Sequence, residues 1–293
     1  MLFSVMVLPA MAEEPAVSFA GGDGSAGNPY QIANAEQFML MTEKINSDGS
    51  YASKHYILTS DIVMPAVGAG ESNHDPIATL WNYSFSGSFD GQNHSISGIK
   101  IDRPTERYQG LFYSIKSGGV VKNLRVINSS ISAVAWAGGI AVYNTGTIEN
   151  CSYSGYMKGG INSGDYAGSC IGGIAGINHG TINNCISTAT ITTGVGDWNM
   201  SNGVGGIAGD NYGIIRNCHN SGSITTPLGS SMTGGIVGHN RTEAAIGRGF
   251  NSYNSGIINA AGSVGGVVGS NRGTVQNNFN IGALASKSGT GGM

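Results

Sequence analysis

One phrase returns along this chain. Gly172–Cys185 reads GGIAGINHGTINNC and Gly205–Cys218 reads GGIAGDNYGIIRNC. Gly138–Cys151 is GGIAVYNTGTIENC, Gly234–Asn240 is GGIVGHN, and Gly265–Asn278 is GGVVGSNRGTVQNN. The Gly-Gly pairs open 26 to 34 residues apart, counting the pair near the end at Gly291. That is the length of one coil of a solenoid, in which each repeat contacts only its neighbours. No single coil can bury its own apolar face, so such a chain folds by stacking coils or not at all.

Aligned on the repeat, the residues fall into columns. Asn144, Asn178, Asn211, Asn240 and Asn271 form one, and Asn150, Asn184, Asn217, Asn251 and Asn277 a second. Cys151, Cys185 and Cys218 form a third, continued by Ser252 and Asn278. Met157, Ile191, Ile224, Ile258 and Leu284 form a fourth. Ile182 and Cys185 stand three apart, and on a flat strand such residues face opposite sides. Both can point inward only if the chain turns between them, and Asn184 sits at that corner. Asn tolerates left-handed backbone angles, and Asn amides stacked about 4.8 Å apart can bond those above and below. These rules predict a parallel β-helix of about seven coils at ~4.8 Å each.

Composition supports this and narrows the function. Among 293 residues there are 49 Gly but only 7 Pro, and Gly does not recur at every third position, which excludes collagen. With 40% apolar residues the chain can bury a core. A net charge of −3 gives no footprint for nucleic acid or an anionic membrane. The start, MLFSVMVLPAMA, reads as the apolar part of a secretory signal, with Ala10-Met11-Ala12 as its cleavage site. No other apolar run approaches the roughly 20 residues of a membrane span. The expected organisation is a signal over residues 1–12, an N-terminal cap with irregular first coils over 13–107, and regular coils over 108–293. Asn34 with Gln37 three residues on predicts a helix start, and Phe38, Met41 and Ile45 give that helix one apolar face. Placed over the first coil, it would close an otherwise open edge.

The pattern G-G-I-[AV]-G-x-N followed by G-T-[IV]-x-N-C resembles the GLUG repeat family of bacterial exported proteins. Gly24–Met41, GSAGNPYQIANAEQFMLM, resembles the segment preceding such repeats, and Phe85–Ile99 and Gly110–Val126 resemble the first coils. The resemblance implies a right-handed parallel β-helix, all-β, and no agreed catalytic residues. Some GLUG repeats occur in metallopeptidases that cleave immunoglobulin A. That activity needs H-E-x-x-H, and no His of this sequence is followed by Glu.

Candidate chemistry is sparse. Cys151, Cys185 and Cys218 read as buried free thiols, with a disulfide among them as the alternative. No metal site is expected, since neither C-x-x-C nor a neighbouring His pair occurs, and no cofactor is expected. His179 and His239 read as exposed corner residues. Asp210 shares a column with His239 one coil on, but no cation is apparent to complete an acid–base set. Binding is a better site hypothesis than catalysis: Trp136, Tyr166 and Trp198 occupy one inter-strand loop on successive coils and could form a platform. Asp165 and Asp197 adjoin two of them and could accept hydroxyl bonds from sugar. The alternative is that these rings fold onto the flank of the rod.

The expectation is an exported, non-catalytic β-helix acting at the cell surface or secreted, as a stalk or adhesive surface for a glycan or a host or cell-surface protein. Two alternatives stand beside it. One is a carbohydrate-active β-helix, lyase or glycosidase, using Asp165 or Asp197; the other is the non-catalytic repeat region of a larger surface metallopeptidase.

Overall fold

The computed structural model describes residues 17–79, 84–159, 169–194, 202–227, 231–241 and 248–286. They form a parallel β-solenoid. One face is a nine-stranded parallel sheet that starts at Tyr30–Ile32 and continues through His55–Leu58, Ser88–Asp90, Val120–Lys122 and Thr147–Glu149. Thr181–Asn183, Ile214–Arg216, Arg248–Phe250 and Thr274–Gln276 complete it. The central residues Phe89, Val121, Ile148, Ile182 and Ile215 pair in sequence and are fully buried. Inward and outward positions alternate along each short strand, so the register of one coil sets that of the next. The sheet therefore runs in register through the first coils, well before Tyr108.

The chain leaves this sheet at a sharp corner. Asn150, Asn184, Asn217, Asn251 and Asn277 all have φ between 50° and 55°, in the left-handed region that Asn tolerates better than other residues with a Cβ. Beyond the corner the second wall carries the aliphatic column, with Ile131, Met157, Ile191, Ile224 and Ile258 paired in register and buried.

The third wall is a doubled strand. In each regular coil a short strand runs in, turns through the Gly-Gly pair and continues as the strand that ends in the first Asn column. Cys170–Gly172 precedes Ala175–Asn178, Asn202–Gly205 precedes Ala208–Asn211, and Ser231–Gly234 precedes Val237–Asn240. A Cβ on Gly205 would fall 2.0 Å from the Ala208 carbonyl oxygen within its own turn. A Cβ on Gly206 would fall 2.2 Å from the Gly235 carbonyl oxygen of the next coil and 2.3 Å from Asn220 Cγ. The first glycine permits the turn and the second permits coils to stack. The same contacts recur at Gly172 with Gly173 and at Gly234 with Gly235.

At the N-terminal side lies the helix Ala35–Ser47. Asn34 Oδ1 accepts from the Gln37 backbone N–H at 2.9 Å, and Gln37 Oε1 accepts from the Ala33 N–H at 2.8 Å. One of the helix's orphan end groups is thereby satisfied, along with the N–H just before the cap. Phe38, Met41 and Ile45 face inward and are fully buried in the same core as Ile32 and Phe89.

Candidate functional site

The interior Asn column is a continuous ladder. Asn144 Nδ2 donates to Asn178 Oδ1 at 2.8 Å, Asn178 to Asn211 at 2.8 Å, Asn211 to Asn240 at 2.9 Å, and Asn240 to Asn271 at 2.8 Å. The backbone N–H groups of Gly146 and Gly213 donate to Oδ1 of Asn144 and Asn211, which fixes which end of each amide is the oxygen. Cys151, Cys185 and Cys218 are free, buried thiols; each donates to the carbonyl two residues before it, at 3.2 to 3.3 Å. Burial pushes the Cys185 thiol well above its ordinary pKa, so it stays protonated and unreactive. These columns are scaffold.

A second interior ladder has no counterpart in the sequence reading. Asn220 Nδ2 donates to Asn254 Oδ1 at 2.8 Å, and Asn254 to Asn280 at 2.7 Å. Register shows why it escaped notice: the same position is Tyr153 and then Ser187 on the two preceding coils. Identity in this column begins only at Asn220.

Of the expected aromatic platform, Trp136 is described; Asp165, Tyr166, Asp197 and Trp198 lie outside the described residues. Trp136 has φ +50° and stacks on Tyr108, itself at φ +64°, with centroids 5.0 Å apart and planes at 18°. The Arg107 guanidinium lies 5.6 Å from the Trp136 ring. Tyr108 also touches Tyr113 and Tyr143, at 5.5 and 5.9 Å. Outward rings elsewhere stack likewise: His219 on Tyr253 at 4.0 Å, and Tyr253 on Phe279 at 5.0 Å. Stacked coil on coil, rings cover one another's faces and offer edges to solvent.

One group of side chains stands apart. Ile177, Asp210 and His239 pair in register on successive coils, in the column that also holds Tyr143. Asp210 is 2% exposed and His239 is 2% exposed, so the expected exposed corner position does not hold for His239; His179 is exposed. The reason is the doubled strand, which covers a column that a single-layered coil would leave outside. Gly203 lies opposite, and a Cβ there would sit 2.5 Å from Asp210 Oδ1. The missing cation is Arg241, whose Nη2 meets Asp210 Oδ2 at 2.7 Å. It reaches back one coil from the position just after Asn240, which is why alignment by column alone did not find it.

The electrostatics follow from burial. Desolvation raises the Asp210 pKa against the pull of Arg241 and Cys170. Burial lowers that of His239 to about 4, with Arg241 and Arg272 adding repulsion, so the imidazole is neutral at pH 7. The Cys170 thiol lies against the Asp210 carboxylate and is held protonated by burial. Arg241 also covers the Tyr212 ring at 5.5 Å, and His179 stacks beneath that ring at 4.3 Å. Among the described residues no three His, Cys, Asp or Glu side chains are placed to hold a metal ion.

A concavity of about 740 Å³ lies between the helix and the loop around His74. Most of its polar side chains are already engaged. Asn46 bonds Pro76 and Ala78, Asn73 bonds Pro65 and Gly98, and Asp75 pairs with Arg103.

The fold and its ladders define a repeat protein of the parallel β-solenoid class. Residues 200–225 match the family model described as the GLUG motif. The chain is 30% identical over 151 residues to halomucin of Haloquadratum walsbyi, a match spanning 50% of this chain and 2% of halomucin. It is 32% identical over 138 residues to a protein of Evansella cellulosilytica provisionally named a Gly-rich membrane protein, covering 46% and 15% of the two. The chain thus spans a small part of either relative. A crystal structure from Bacteroides ovatus, provisionally named an immunoglobulin A1 protease, superposes with a TM-score of 0.63 at 25% identity. That match covers 92% of this chain and 80% of the other.

Proposed function

We propose that this chain is an exported, non-catalytic rod that acts at a cell surface as a stalk with an adhesive face, toward a glycan or a host or cell-surface protein. The observation that carries the reading is the fate of the repeated polar residues. The interior Asn amides bond their counterparts on neighbouring coils, so the repeat's polar chemistry goes into coil stacking. A relative named as a membrane protein and the apolar start of the sequence support export. No described helix is long and apolar enough to cross a membrane. The test is surface labelling and protease shaving of intact cells, followed by binding of the purified chain to glycan and host-protein arrays. A chain retained in the cytoplasm, or a folded chain that binds nothing on either array, would count against the export or the adhesive part respectively.

The Asp210–Arg241 pair favours a second reading, a carbohydrate-active β-helix. A glycosidase needs a second carboxylate some 5–10 Å away, and the candidates Asp165 and Asp197 lie outside the described residues. Release of reducing ends or unsaturated products from a polysaccharide panel decides it.

A further inference from the structure

Six buried side-chain polar atoms of the described residues have no hydrogen-bond partner, and four of them belong to one spot. They are Asp210 Oδ1, both ring nitrogens of His239, and Arg241 Nε. The three residues sit on adjacent coils, held by the pairing of Asp210 with His239 and by the Asp210–Arg241 contact. Buried polar groups in folded proteins are almost always satisfied, so a cluster of orphans marks a place where something else binds.

We propose that Asp210, His239 and Arg241 form a subsite for a neutral, hydroxyl-bearing sugar residue. The proposal rests on the adhesive reading above and names what that face recognises.

The choice of ligand follows from the count of donors and acceptors. Asp210 Oδ1 is an acceptor, with the Cys170 thiol beside its carboxylate, Arg241 Nε is a donor, and a neutral imidazole adds one of each. An inorganic anion would place its charge against Asp210 Oδ1 and the bare imidazole nitrogen. A metal ion would face the Arg241 guanidinium. A sugar hydroxyl both donates and accepts, and neighbouring hydroxyls on one ring can satisfy the mixed set together. Arg241 is the member that reaches solvent, its side chain 29% exposed, with the half-buried Tyr212 ring beneath it. A sugar entering along this edge displaces the Arg241 cover, meets the three polar residues with its hydroxyls, and lays its apolar face toward Tyr212. Gly203 lets the Asp210 carboxylate pack directly on the facing strand, where a side chain would collide with it. A site that hydrogen-bonds a hydroxyl rejects analogues that lack it, because its own buried groups are then left unpaired.

The test uses the full chain with maltotriose, cellotriose, chitotriose and galactotriose as neutral probes, and sialyllactose and zinc chloride as charged ones. Imidazole nitrogen–proton NMR of His239 needs no substitution and reads the site directly. The expected result is a saturable shift of the His239 signals with at least one neutral probe, and at least tenfold weaker binding of that probe by Asp210→Asn and Arg241→Lys. Melting of both variants is recorded alongside, and a variant that fails to fold is replaced by the wild-type shift as the deciding readout. His239 signals unmoved at saturating neutral sugar would mean that trapped water satisfies the four atoms, and the inference falls. Shifts with zinc or sialyllactose alone overturn it too. If the wild type binds a neutral probe while His239 stays unmoved, sugar binds elsewhere; this subsite is then lost but the adhesive reading stands. If the chain binds host proteins and no sugar, the same separation holds.

Discussion

Asn178 donates from Nδ2 to Oδ1 of Asn211, 33 residues further along the chain, at 2.8 Å and out of contact with water. It also accepts from Asn144 at 2.8 Å. Each amide therefore holds two coils at once. Asn178→Ala should cost about 3 kcal/mol, because it leaves buried donors and acceptors of both neighbours unpaired. Asn178→Asp should cost at least as much, since a carboxylate cannot donate to Asn211. Asn271 is exposed, and its alanine variant should cost under about 1 kcal/mol. Urea midpoints of the three variants check this; equal losses at Asn178 and Asn271 would remove the ladder from the account of stability.

The second glycine of each pair is a contact between coils. Gly206→Ala places a methyl group 2.2 Å from a backbone oxygen of the next coil, which cannot yield without parting the stack. The expected loss is upwards of about 3 kcal/mol. Gly27→Ala, where nothing lies within 4 Å, should change the melt by less than about 0.5 kcal/mol. A tolerated alanine at Gly206, read by thermal melting, would contradict this close approach.

Ser187 holds the position one coil before the ladder that starts at Asn220. It lies against Gly173 as Asn220 lies against Gly206, and the Ala189 N–H already points to its oxygen at 3.4 Å. Ser187→Asn should extend the ladder by one rung and stabilise the rod by about 1 kcal/mol. Ser187→Val, of similar bulk and no amide, should destabilise. A shift of the asparagine variant in the same direction as the valine variant argues against it.

His74 and His239 are both held neutral by burial, with pKa lowered from 6.5 to about 4. As pH falls past about 6.5 the unfolded chain takes up these protons and the folded chain does not until near 4. The unfolded state thus binds more protons in this window, and each histidine lowers stability by about 1.4 kcal/mol per pH unit there. Asp210, whose pKa is raised, acts in the opposite sense above 3.8, since the folded chain takes its proton first. The net expectation is a lower urea midpoint at pH 5 than at pH 7. His74→Gln keeps a donor for the Leu111 carbonyl, 3.1 Å from Nε2, and should remove one histidine's share of that slope. A slope unchanged by this substitution sinks the assignment.

Much of the fold was legible because a solenoid writes its tertiary contacts into its sequence at a fixed interval. Columns of identical residues stack in register, and a parity break of three residues between Ile182 and Cys185 located the corner. The doubled wall was less legible. Gly-Gly marked a turn, but nothing in the spacing showed that the strand before it would cover the strand after it. Hence His239 was assigned to the surface and is buried. Arg241 was missed for a related reason, since its partner Asp210 lies a coil away and one position across. Residues that match their column are found by counting; residues that bind diagonally are found only in coordinates.

The amide columns also have a direction. In both interior ladders every Nδ2 points toward the following coil. At the outer corner Asn150 donates to Asn123, Asn184 to Asn150 and Asn217 to Asn183, all toward the preceding coil. Aligned amide dipoles add along an axis, as they do in a helix. Opposed columns offset one another in part, so the polarisation of a stack of such coils grows more slowly with its length than either column alone would make it.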